Sequence, residues 1–432
     1  MEIPAERRFV NMKLKWNSYT ISIQNFLIFI AFFLIYIGQC DAINQYSSML
    51  TYAGLAIVLI SSYVEFLRKK NRNRIIGNLS ELLFLLILLS IGIMTQNIVY
   101  MKKIVLILSY FITVSVFVFG GYWLKDIKEM RIAVYGMGAA LILGIILSLI
   151  TNNNIFMLTS EGILKYGFTG GFGHKNSFSV SLLTIFAGFY LYYIGEKKSR
   201  KTCLLLFALC VLIFFTGSRT AWIMLFIMLA SSNWKIINKV TPHTRFLLVT
   251  ILIGGGILVS IIFVHTVVMN STTFSHRFHG IMSYLNLYRD DISKLMLGNG
   301  EIVYRDNNNY FNNLWNLVGG NGSFEMGLFQ IIVKNGLIGL LAYIYMLAKS
   351  IIYLKKTKNI YVQSMVLSMV LPFFISVFVE IYITQIIYPY TVFTWCIISC
   401  FNQWLAREKR YGGSEEKLNQ GRLLQTHGKN IL

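Results

Sequence analysis

The turn Gly217-Ser218-Arg219-Thr220 stands directly before a long apolar run. A helix starting there presents unpaired backbone N–H groups and the positive end of its dipole. Arg219 adds a planar fork of donors suited to phosphate oxygens; the alternative is an arginine snorkelling to a membrane interface. A second stretch, GFTGGFGHKN (167–176), places His174, Lys175 and Asn176 after a run of glycines. It reads either as an anion cradle or as a turn that needs positive φ angles. The third stretch, 269–325, is polar and carries both charge signs: His276, Arg277 and His279 lie close together, and Arg289 precedes Asp290 and Asp291. Arginines there could hold a pyrophosphate while a carboxylate or imidazole accepts a proton. Its Tyr284, Tyr288, Tyr304, Tyr310 and Trp315 either stack on sugar rings or pack the segment. Glu325 closes the stretch, as a cap on the helix that follows or as a general base.

The rest of the chain must hold these groups in place, and its composition says how. Of 432 residues 56% are hydrophobic and 13% charged. A soluble domain could not hide that much apolar surface, so the expected class is an all-α polytopic membrane protein. About twelve runs of spanning length are expected, at 20–38, 48–67, 78–96, 103–121, 132–150, 177–195, 202–216, 219–233, 246–268, 336–353, 362–380 and 383–404. The net charge of +21 points to the membrane rather than to nucleic acid, because Lys and Arg gather in short loops at alternate ends of the spans. With both termini cytoplasmic, about three-quarters of them fall inside. The large polar stretch, the glycine-rich stretch and Arg219 then all lie outside. The five cysteines form no CxxC pair and read as small hydrophobes in the spans.

The expected organisation is therefore N-terminal spans (1–130), a membrane core with the two short motifs (131–268), a large extracytoplasmic loop (269–335), C-terminal spans (336–404) and a cytoplasmic tail (405–432). From about Phe324 to Asn335 a helix lying on the outer surface is expected. Glu65, Glu81 and Glu380 fall near span ends.

GHKN (173–176), TGSRT (216–220), LMLGNG (295–300) and NGLIGLLAYI (335–344), in this order, resemble the O-antigen ligase/polymerase superfamily of bacterial polysaccharide assembly. The chain looks most like its Wzy-type polymerases of O-antigen, capsule or exopolysaccharide. The resemblance covers roughly 130–380. It implies a fold like the C-type glycosyltransferases and a metal-independent enzyme with no cofactor. The implied substrates are undecaprenyl-pyrophosphate-linked oligosaccharides at the outer face of a bacterial plasma membrane, with a chain-length regulator and a flippase as pathway partners. Arg219 and Arg277 match the arginines expected to hold the pyrophosphate. Where ligases carry a histidine, about eleven residues before Gly336, this chain has Glu325. That departure favours a polymerase, with Glu325 taking the acceptor proton. The alternatives are ligase-type transfer to another acceptor and, from a different class, a flippase for the same lipid-linked sugar.

Overall fold

The computed structural model describes residues 13–16, 19–68, 72–95, 100–158, 166–195, 199–237, 282, 284–286, 288–298, 326–354, 360–378 and 380–411. The described chain is helical apart from two short antiparallel hairpins. The helices are α1 (Ile23–Ile37), α2 (Ser47–Leu67), α3 (Arg72–Thr95), α4 (Tyr100–Trp123), α5 (Ile127–Ile150), α6 (Lys175–Gly195), α7 (Arg200–Phe215), α8 (Arg219–Ile237), α9 (Ile292–Leu297), α10 (Gly327–Leu354), α11 (Ile360–Ser376) and α12 (Pro389–Tyr411). Strands β1 (Lys13–Trp16) and β2 (Tyr19–Ser22) precede α1. Strands β3 (Phe156–Leu158) and β4 (Tyr166–Phe168) form a hairpin within the stretch between α5 and α6. Every expected span falls on one of these helices except 246–268, which lies outside the described residues.

Six of the described helices, α2 to α6 and α10, are long and apolar enough to cross a membrane. Shorter apolar stretches occupy α1, α8 and α11. The chain is a multi-pass membrane protein. Helices are what such apolar sequence must form, since hydrocarbon offers no partner to a backbone N–H or C=O. Large apolar side chains such as Ile60, Leu83, Ile87 and Phe207 point outward from α2, α3 and α7, where lipid would cover them.

Inside the bundle, α1 packs on α2 and α5, α4 on α2, α3 and α12, and α8 on α11. Close approach depends on small residues, as is usual between membrane helices. A Cβ on Gly121 of α4 would come within 2.3 Å of the Cys400 nitrogen on α12. Cys396 and Cys400 are buried in that crossing, as expected of small hydrophobes; Cys203 is exposed on α7.

The polar groups sort to the two ends. At one end Glu65 accepts from Lys125 at 2.6 Å and Arg68 at 2.5 Å, and Glu81 pairs with Lys349. The Trp404 indole donates to the Lys125 carbonyl at 2.8 Å. At the other end Gly173 donates to Asp41, Asn176, Thr220 and Gly327 donate to Glu380, and Thr384 donates to Gln330. Loops that the charge rule assigns to one side thus meet at one end. We call this second end outer, following that rule.

The helix expected up to Asn335 is present as the first part of α10, but it does not lie on a surface. Phe329 to Asn335 are all buried. Phe329, Ile332 and Val333 pack with Tyr284, Tyr288 and Met326 in a small core of their own, which draws the helix in. At Gly336, with φ 62° and ψ −164°, α10 breaks before continuing inward.

Candidate functional site

Two helix starts and one carboxylate build the outer end. Helix α6 begins at Lys175, where the His174 ring nitrogen Nδ1 accepts from the Asn176 backbone N–H at 3.2 Å. Helix α8 begins at Arg219 after a sharp turn at Gly217 (φ 67°). The Asn176 amide nitrogen and the Thr220 hydroxyl both donate to Glu380 Oε1, at 3.1 and 3.2 Å. The Glu380 carbonyl accepts from the Gly327 N–H at 2.9 Å and so ties in the start of α10. Glu380 is only 7% exposed. Two positive helix ends therefore face the same buried acid.

Below this group, Gln330 Oε1 accepts from Thr384 at 2.9 Å and from the buried Lys334 at 3.3 Å. Buried cations in a membrane bundle are costly and usually carry a task. Beside the group, Tyr388 has its phenol pushed up, first by burial and then by the Glu380 charge, partly offset by a hydrogen bond with Ser177.

Arg219 is half-buried, and among the described residues it makes no hydrogen bond or ion pair. It adjoins Thr220, so a guanidinium stands one residue from the carboxylate anchor. Such a group is equipped to take an anionic ligand arriving at the outer end.

The glycine-rich stretch resolves differently. Gly170, Gly171 and Gly173 all have positive φ, and the N–H groups from 170 to 173 are consumed internally. Gly170 donates to Ile155 O, Gly171 to Thr169 Oγ1, Phe172 to Thr169 O and Gly173 to Asp41 Oδ2. No backbone donor of this run is left to cradle an anion. A Cβ on Gly171 would meet Ser148 Oγ at 1.9 Å, so the turn is packed against α5. Its effect is to deliver Asn176 to Glu380. An open cleft of about 420 Å³ lies alongside, lined by Asp41, Asn153, Asn154, Phe156, Met157 and Gly173 among others.

The motifs LMLGNG and NGLIG also meet. A Cβ on Gly298 would lie 2.6 Å from the Asn335 and Gly336 nitrogens. Asn335 donates to Leu89 O at 2.7 Å and accepts from the Tyr110 hydroxyl at 3.0 Å. These residues fasten the end of the large loop to α3 and α4. Tyr284 and Tyr288 pack rather than stand open, with ring centroids 4.9 Å apart. Burial pushes the Tyr284 phenol up.

Of the expected site residues, the structure brings Asn176 and the Arg219 turn together through Glu380, with His174 and Lys175 at the same helix start. Arg289 is exposed in a turn before α9 and makes no hydrogen bond or ion pair to the Glu380 group among the described residues. His276, Arg277, His279 and Glu325 lie outside the described residues. No model of a protein family matches this chain, and no curated protein is similar to it in sequence. The site is therefore read on its own geometry. Glu380 and Lys334 are what sequence reasoning missed. Glu380 gave the same signal as Glu65 and Glu81, an acid near a span end, and only its partners set it apart. Lys334 gave a cation inside an apolar run.

Proposed function

We propose that this protein is a polymerase of undecaprenyl-pyrophosphate-linked oligosaccharide repeat units at the outer face of a bacterial plasma membrane. It would transfer the growing glycan to a hydroxyl of an incoming lipid-linked unit, as a metal-independent glycosyltransferase. The observation that carries this reading is the convergence of the α6 and α8 starts on Glu380, with Arg219 the first residue of α8. It supplies an anion site and an acid at one membrane-flanked place, which a diphosphate-tethered glycan can reach from lipid. Pyrophosphate is a competent leaving group, so positioning and charge neutralisation are the main demands. Arg219 and Arg277 hold the departing pyrophosphate. On the resemblance, a carboxylate at Glu325 takes the acceptor proton, in a single displacement that inverts the anomeric carbon.

The decisive experiment gives purified protein in nanodiscs only the lipid-linked repeat unit. Glycan lengthening with release of undecaprenyl pyrophosphate is expected. A flippase for the same lipid is the second reading, favoured by the buried Lys334 in α10. Unchanged chain length together with movement of the lipid across liposomes would decide for it and against the polymerase.

A further inference from the structure

We infer that Glu380 is a catalytic carboxylate, the group that takes the proton from the acceptor hydroxyl. The inference rests on the polymerase reading but gives the acceptor proton to Glu380, on geometry, in place of Glu325, which the resemblance gives.

Charge supplies the first argument. A site that only held a diphosphate would exclude carboxylates, because like charges repel. Yet Glu380 lies at the meeting point of four elements. Asn176 of α6 and Thr220 of α8 bond its side chain, Gly327 of α10 bonds its carbonyl, and its charge acts on Tyr388 before α12. Thr220, which anchors the acid, is next in sequence to Arg219, the proposed pyrophosphate ligand. A second task beside anion binding accounts for its presence. Preorganisation supplies the second argument. Hydrogen bonds from an amide and a hydroxyl fix one carboxylate oxygen, and two helix starts favour negative charge there. A general base needs this kind of fixed geometry within reach of the attacking group.

The step balances simply. The acceptor O–H proton passes to the Glu380 carboxylate while the hydroxyl oxygen forms a bond to the donor's anomeric carbon. The bond from that carbon to the pyrophosphate oxygen breaks, and its electron pair leaves with the pyrophosphate, neutralised by Arg219.

The competing view is that Glu380 only ties two helices together. Glu380→Gln separates the two, since glutamine keeps an oxygen for Asn176 and Thr220 but cannot serve as the base. In nanodiscs with the lipid-linked repeat unit, Glu380→Gln should lower kcat by about 100-fold or more. Its affinity for undecaprenyl pyrophosphate should not fall, since the change removes a negative charge that repels the anion. Glu380→Asp, which keeps the acid and shortens its reach, should fall between the two in kcat and bind the lipid normally; it serves if the glutamine variant does not fold. Full turnover in either variant would overturn the inference, as would loss of lipid affinity in step with turnover. A wild type that binds the lipid but lengthens no glycan would remove the polymerase reading and this role with it. An active wild type with an active Glu380→Gln would remove this role alone.

Discussion

The two ends of the bundle use similar residues to different effect. At the inner end Glu65 is paired with Lys125 and Arg68, and Glu81 with Lys349. These two acids each meet a lysine or arginine from a neighbouring turn or helix, so their charges are settled within the protein, while Glu129 at the same end is held by the Gln24 amide and the Lys125 backbone N–H. At the outer end Glu380 is bonded by the Asn176 amide and the Thr220 hydroxyl, and Arg219 stands nearby without an ion pair among the described residues. The comparison teaches that charge type says little about role in a membrane bundle, and that pairing says much more. Charged pairs hold helices at one end, and polar donors at two helix starts hold the acid at the other.

The sharpest way to break this comparison is Arg219→Ala. Glycan lengthening should fall by about 100- to 1,000-fold, the usual cost of removing one donor to a developing anion. Membrane insertion and thermal unfolding should be unchanged, and normal chain length in that variant would mean the outer end has no special standing. Gly336→Ala tests the scaffold instead. Its φ of 62° with ψ near −164° suits glycine alone, and a Cβ there would lie 2.3 Å from the Met296 carbonyl oxygen. The variant should lose about 1–3 kcal/mol from strained backbone, seen as a lower Tm in detergent. An unchanged Tm would mean that the crossing does not fasten the large loop.

Lys349→Ala provides the inner-end control. Breaking its mostly buried pair with Glu81, which would keep only the Tyr345 hydroxyl, should cost about 1–3 kcal/mol and leave kcat within about twofold. A loss of turnover rivalling that of Arg219→Ala would erase the distinction between the ends. The smallest effect concerns Asp291, the cap of α9. Its carboxyl is held below the usual range, chiefly by the Ser293 hydroxyl and then by the Lys294 N–H. A lowered folded-state pKa stabilises above the unfolded value of about 3.9 and is lost as pH falls through the folded value. Asp291→Asn should therefore match the wild type in the pH dependence of unfolding between pH 8 and 6 and diverge only under strong acid. Divergence already near neutrality would contradict the assignment.

Much of the architecture was legible in the residues. Apolar runs of spanning length predict helices because lipid leaves the backbone no other partner. The alternation of basic loops grouped the segments that the structure brings to common ends. Arg219, and the His174 to Asn176 stretch, stood out because polar groups at the mouth of an apolar run are costly. The same reasoning left the glycines of 170–173 open. Glycine content is equally compatible with an anion cradle and a packed turn, and only the destination of each N–H separates them. It erred on the helix before Gly336, where apolar residues of a distant segment bury what local sequence leaves at a surface.

What the sequence by itself determined is the class, a helical multi-pass membrane protein, because hydropathy is a property of each segment alone. What only the tertiary structure decided is which of the acids near span ends meets the starts of α6 and α8. Glu65, Glu81 and Glu380 are alike along the chain. A carboxylate takes its role from donors that lie 160 and 204 residues away in Thr220 and Asn176, and such partners are chosen by packing, not by neighbours in sequence.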